Sequence, residues 1–328
     1  MKNRTIYIIV TCLVILGIGL FVGDRIFRGQ RATAQIITTN FAGYDFARAI
    51  MGDNSKVSML LKPGTDMHDY EPTPEDIISI KNADLFIYNG GESDDWVSEL
   101  LRDNEIPADK TLRLMDYVEL KEEKIIEGME AAEDHDHDHD HDHATESDPT
   151  EHHEYDEHIW TSPVNAMGLL TAIKDRLIEL YPDKSATLTD NYDAYLSQLQ
   201  RIDGAIRKLI DKSSKRELIF ADRFPFQSFV DEYNLAYYAA FPGCSEQTEA
   251  SSDTIAFLID KIKQDGIKVV LKIELTSGKL ADTIAAETGA KVLEFNAAHN
   301  ISQENFESGV TYVNIMEDNI KVLEEALK

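Results

Sequence analysis

The sequence predicts an α/β protein: two lobes of parallel sheet flanked by helices, joined by a long rigid helix. Three observations carry this. Short apolar runs alternate with amphipathic helical stretches in two separate sets, one over 35–103 and one over 217–328, and such alternation implies parallel sheets covered on both faces. Between the sets, 183–212 reads as one amphipathic helix whose apolar stripe includes Tyr195, Leu199, Ile202 and Ile206. The 328 residues suffice for two domains of ordinary size.

The elements follow in order. Residues 1–34 form a membrane anchor or signal segment: Lys2 and Arg4 precede an uncharged run from Thr5 to Gly23, about the 20 residues that span a bilayer. "ATA" at 32–34 resembles a cleavage site but lies beyond Asp24, Arg25, Arg28 and Arg31. An anchor that leaves the remainder on the outer face of the cell membrane is therefore the expectation. The first lobe, 35–165, reads "QIITT" (strand), "YDFARAIMG" (helix), "KVSMLL" (strand), "EDIISIKNA" (helix), "DLFIYNG" (strand) and "DDWVSELLRD" (helix). Residues 166–215 form the helical linker, entered by a helix that starts at Ser162-Pro163 and stops at Pro182. The second lobe, 216–328, has strands at "ELIFA", "LAYYAAF", "IKVVLKIE" and "AKVLEF". Helices lie between them, and a final helix starts near Gln303.

One segment breaks the pattern. Residues 119–158 hold 17 acidic and two basic residues, and they include "EDHDHDHDHDHA". With no apolar periodicity, 119–157 reads as a loop without fixed structure unless metal orders it. A loop of this length inside a compact domain is usually functional. His135, His137, His139, His141 and His143 alternate with aspartate, and His152 and His153 extend the run. These seven offer many weak, interchangeable metal positions and no preorganised cage. They form an accessory metal loop that raises the local metal concentration.

Charge and cysteine count narrow the function. A net charge of −28 repels nucleic acid and attracts cations. Of the two cysteines, Cys12 lies in the apolar N-terminal run. Only Cys244 is left in the body of the chain, too few for a disulfide framework or a cysteine-built zinc site.

Three histidines stand apart from the run. His68 lies in "KPGTDMHDYEPTPEDI", a turn fixed by prolines between a strand and a helix; His158 lies in "EYDEHIWTSP"; His299 follows the last strand in "LEFNAAHNIS". Open α/β sheets place ligands at such strand ends. Each alone could be an ordinary polar loop residue. Together they come from different segments, as a cleft between two lobes requires.

"PGTDMHDYEPTPEDI", "ADLFIYNG", the histidine-rich acidic loop, "HIWTSP", "ADRFPFQSFVDEYNL" and "ETGAKVLEFNAAHNI" together resemble the extracytoplasmic zinc/manganese-binding proteins of ABC transporters, from about Gln35 to Lys328. The resemblance implies metal held between the lobes, with His68 and His158 as ligands. It also implies delivery to a membrane permease with its ATPase.

One departure stands out. Where zinc-binding members usually read His-Asp-x-Phe, this chain reads Ala221-Asp222-Arg223-Phe224. Ala221 offers no donor, and an always-protonated guanidinium does not ligate a cation. The family's acidic fourth ligand has no clear match. The expected set is therefore His68, His158 and His299, completed by an oxygen donor or water. Glu274 is the candidate oxygen, with an ion pair to Arg223 as its alternative role.

Imidazoles favour Zn2+ as the transported ligand over Mn2+. Asp69, Asp156 and Glu157 are the acidic neighbours available to orient the rings. The expected molecule is a monomer without enzymatic activity that binds no nucleic acid. Two other readings compete: a surface metal-buffering or adhesin-type protein without transport, and a zinc hydrolase. "HEYDEH" spaces its histidines five apart, which does not put them on one helix face as the zinc-protease motif requires.

Overall fold

The computed structural model describes residues 35–68, 70–130, 155–245 and 249–328. The expected anchor, the DH run with His152 and His153, and Asp69 lie outside the described residues. Among the described residues no helix is long and apolar enough to cross a membrane.

Two four-stranded parallel sheets share one plan. In the first, β1 (Ile36–Thr38), β2 (Val57–Met59), β3 (Leu85–Tyr88) and β4 (Thr111–Arg113) lie in the order β2-β1-β3-β4. Ile36 stands opposite both Val57 and Leu85. In the second, β5 (Glu217–Phe224), β6 (Ala236–Pro242), β7 (Val269–Lys272) and β8 (Lys291–Glu294) repeat that order as β6-β5-β7-β8. In each sheet the chain winds to one side of its first strand and then returns to the other. The switch points therefore fall beside β1 and β5, where open sheets form crevices.

The helices of the first lobe are α1 (Phe41–Met51), α2 (Pro74–Asn82) and α3 (Asp95–Asp103). Next come α4 (Pro163–Leu180) and the 28-residue α5 (Ser185–Lys212), the long helix expected between the sets. The second lobe carries α6 (Gln227–Tyr233), α7 (Ser252–Asp265), α8 (Lys279–Thr288), α9 (Gln303–Glu307) and α10 (Tyr312–Ala326).

Strand alternation divides the core. Ile36 and Phe220 face inward, into one continuous cluster that also takes Phe46 of α1, Leu199 and Ile202 of α5, and Tyr312 of α10. That cluster contains residues of both lobes. The neighbouring Ile37 and Ile219 face outward into two separate clusters, one per lobe. A buried carboxylate reinforces the shared side. Asp45 of α1 accepts from Arg48 Nε at 2.7 Å, from the Tyr195 hydroxyl of α5 and from the Tyr312 amide of α10 at 2.7 Å. A charge this deep is tolerable because both of its oxygens accept from donors.

Three expectations need correction. Strand β4 was not anticipated: it is a three-residue edge strand with only Leu112 buried, too short to show periodicity. The final helix is split, because Gly309 takes a left-handed φ of 76° and Thr311 starts α10 with a capping box. The acidic stretch is also not featureless at its ends. Residues 119–130 run onto the second lobe, where the Glu130 amide donates to the Ala240 carbonyl at 2.9 Å. Glu123 Oε1 accepts from the Gly243 amide at 2.7 Å, and Glu122 bridges Tyr155.

Candidate metal centre

Each of the three isolated histidines is positioned by local chain chemistry. His68 lies in the loop after β2. Gly64 turns that loop at φ 84°, and its amide donates to the Ile301 carbonyl at 2.8 Å. Asn300 Nδ2 donates to the Lys62 and Thr65 carbonyls at 2.5 and 2.8 Å. The loop carrying His68 is thus sewn to the segment carrying His299. His158 precedes a short 3-10 turn that leads into α4, whose N-cap is Ser162. His299 follows Ala298, a non-glycine residue in the left-handed region at φ 56°. Leu275, next to Glu274, is left-handed too, at φ 61°. Such strain persists where surrounding contacts over-determine it, and here they do: Glu274 accepts from the amides of Ala297 at 2.7 Å and His299 at 3.1 Å.

The rings meet in the cleft. One ring nitrogen of each lies within 4.8 Å of its counterparts on the other two, and the His158 and His299 ring centres are 4.5 Å apart. Hydrogen bonding identifies the nitrogens. His158 Nδ1 donates to Asp156 Oδ1 at 2.8 Å, and His299 Nδ1 lies 3.3 Å from Glu274 Oε1. Ser93 gives its hydroxyl proton to Glu157, so its oxygen accepts from His68 Nδ1 at 2.9 Å. With every Nδ1 engaged in this way, each Nε2 presents a lone pair. All three Nε2 atoms are buried without a hydrogen-bond partner. Three orphaned buried acceptors converging on one point are costly unless a cation takes them. An oriented imidazole backed by a carboxylate is the usual support for a metal ligand.

Electrostatics favour the neutral, ligating form at two of the three rings. Burial, then the neighbouring His158 and His299, push His68 down to about 2. Burial and His158 also lower His299. Burial pulls His158 down as well, but Asp156 with Glu157 and Glu123 outweighs it and leaves this ring raised. Two of the rings therefore stand neutral and ready to ligate. Trp160 packs edge-on against His158 and His299, with ring centres 5.8 and 5.7 Å away.

The structure brings His68, His158 and His299 together. It corrects the reading of Glu274, whose two oxygens are taken up by the Ala297 amide and by the amide and ring of His299, so it backs a ligand and does not face the centre. Nor does Glu274 pair with Arg223. That guanidinium crosses the cleft to Asp66 at 2.5 Å. Ala221 packs in the outer cluster of the second lobe, while Arg223 reaches the cleft past a β-bulge in β5. Asp156 and Glu157 orient rings as expected. Ser93 was not anticipated, since nothing in "GGESDD" marks it before the fold is known.

The family description "Zinc-uptake complex component A, periplasmic" matches residues 36–326. This chain belongs to that family. The high-affinity zinc uptake system protein ZnuA of Bacillus subtilis is 32% identical over 292 residues, 89% of this chain and 87% of that protein. The zinc-binding lipoprotein AdcA of Streptococcus pneumoniae is 30% identical over 290 residues, 88% of this chain. The chain spans about half of AdcA, 55% of its length. Among solved structures, the metal-dependent lipoprotein YcdH of B. subtilis superposes with a TM-score of 0.71 at 28% identity, covering 90% of this chain and 99% of that one. The Zn(II)-bound ZnuA-like domain of S. pneumoniae AdcA gives 0.70 at 28%, covering 89% and 98%.

Proposed function

We propose that this chain is an extracytoplasmic receptor that binds Zn2+ between its lobes through His68, His158 and His299 and hands it to an ABC permease with its ATPase. It acts as a monomer held at the outer membrane face by residues 1–34, and it is a carrier with no catalytic role. The observation behind this reading is the convergence of three buried Nε2 atoms, each backed through Nδ1 by a carboxylate or hydroxyl. Three imidazoles suit zinc, whereas manganese prefers oxygen. A water on the remaining tetrahedral position keeps the ion exchangeable. The lobes 35–165 and 216–328 are read as the two walls of the site, with 166–215 between them.

Release works by small rearrangement. The core shared by both lobes and the bonds tying the His68 loop to the His299 segment resist a wide hinge motion. X-ray scattering should therefore show little compaction on zinc binding, and a large change would sink this point.

The deciding experiment is calorimetric zinc and manganese titration with residues 133–153 deleted. One tight zinc site that survives the deletion and is lost in His299→Ala is the expected result. No tight site after deletion would transfer the binding function to the DH run. A gene deletion that slows growth only when zinc is scarce separates uptake from buffering.

A further inference from the structure

We propose that His68, Glu157 and Cys244 form a second metal site, which takes a zinc-like divalent cation and loads the cleft by way of the shared His68. The proposal rests on reading the cleft as the metal centre. One ligand atom from each of these residues lies within 4.8 Å of the other two. They come from three separate segments: the loop after β2, the approach to α4, and the turn after β6. Cys244 Sγ is 3.7 Å from Glu157 Oε1, and that oxygen is 3.4 Å from His68 Nδ1. The Ser93 hydroxyl bridges His68 and Glu157 and is the group a metal would turn aside. Thiolate, imidazole and carboxylate are all zinc ligands, whereas Ca2+ and Mg2+ select oxygen.

Glu157 and Cys244 of this set line a cavity of about 510 Å³ whose lining also includes Glu92, Asp95 and Glu123, with Arg113 the one cation among the described residues that line it. An acidic mouth of this kind raises the local concentration of cations. His68 faces both ways, with Nδ1 toward Glu157 and Nε2 toward the cleft.

Imidazole chemistry makes the two positions exclusive. A neutral ring has one lone pair. When His68 ligates through Nδ1, its proton sits on Nε2 and the ring cannot bind in the cleft. When it ligates through Nε2, Nδ1–H donates to Ser93. The ion therefore moves inward as the His68 proton shifts between ring nitrogens. Cys244 binds as the thiolate, releasing its proton to solvent and recovering it when the ion moves on. A way-station of this sort lowers the barrier in both directions. It speeds loading and unloading and leaves the affinity of the cleft unchanged.

The test uses the full chain carrying Cys12→Ser, which leaves Cys244 as the only thiol. Rapid mixing with Co2+ should give a transient thiolate-to-metal charge-transfer absorption that decays as the ion moves into the cleft, and that transient should be missing in Cys12→Ser/Cys244→Ser. Calorimetry should find the tight zinc site equal in both. Stopped-flow fluorescence, with Trp160 beside the rings as reporter, should show zinc loading slowed several-fold without Cys244. Absence of the absorption in Cys12→Ser, or equal loading rates in the two proteins, overturns the second site. Retention of tight zinc binding in His158→Ala would instead overturn the cleft reading itself.

Discussion

His158 and His299 are held differently from His68, and the difference separates what fixes an ion from what admits it. Asp156, which backs His158, also accepts from the Ser228 amide and hydroxyl at 3.2 and 3.1 Å, so this support spans both lobes. Glu274, which backs His299, is locked by two backbone amides. His68 leans on a serine hydroxyl that is itself held by Glu157. The first pair is anchored to backbone by one intervening carboxylate; the third ring is supported through a chain of side chains that a single proton shift can rearrange. A receptor that must hold an ion and then surrender it gains from having both kinds.

The sharpest way to break the comparison is to remove the rings one at a time. His158→Ala and His299→Ala should each lower zinc affinity beyond the roughly 100-fold that loss of a ligand's outer partner can cost. His68→Ala should cost less than either. Competition titration against a chelator of known affinity measures this, and equal losses for all three would erase the distinction.

The supporting carboxylates come next. Asp156→Asn and Glu274→Gln should each weaken zinc binding by about 10–100-fold, with Glu274→Gln also destabilising the apo protein because an amide cannot accept as its two oxygens do. Ser93→Ala should fall below both in the same titration.

A smaller effect is expected at Gly91. It sits at φ 91°, and a Cβ there would lie 2.7 Å from the Glu157 side chain. Gly91→Ala should destabilise the fold by at least about 1 kcal/mol in urea unfolding and loosen His68 before the other two rings. Unchanged stability would mean that Glu157 is free to move aside.

The smallest effect concerns the ion pair across the cleft. Burial raises the Asp66 carboxyl, but Arg223 outweighs it and holds the group at about 2. The folded value is below the unfolded value near 4, so the contribution is complete above about pH 4 and is lost as pH falls toward about 2. The urea midpoint should therefore fall over that window in the native chain and fall less in Arg223→Met. Parallel profiles would show that the pair adds nothing.

Much of the fold was legible because apolar runs and caps are local signals. "LFIY" and the proline-started α2 and α4 needed no tertiary context. The three histidines were legible as chemistry at element ends. Of their supporting groups, Asp156 and Glu157 could be named from sequence, whereas Ser93 and the supporting role of Glu274 could not. Whether Glu274 faces the ion or supports His299 depends on the left-handed residues Leu275 and Ala298, which turn the chain around its carboxylate. Likewise the Arg223–Asp66 pair joins residues 157 positions apart, and no spacing rule reaches that far. Ala221 is instructive in another way. Phe220 joins the inner cluster and Ala221 the outer one, and the bulge between Phe220 and Arg223 breaks the alternation at this point, so no sequence pattern announces that Arg223 turns to the cleft.

The inner cluster that joins Phe46, Leu199, Phe220 and Tyr312 has a consequence for inheritance. Residues of both lobes meet in one interior with the long helix between them, so neither half is a self-contained module that could be exchanged between proteins. A chain cut after residue 212 would expose an apolar face on both fragments. Calorimetric melting should accordingly show one transition whose measured and van't Hoff enthalpies agree, and recombination among relatives should preserve the pairing of the halves.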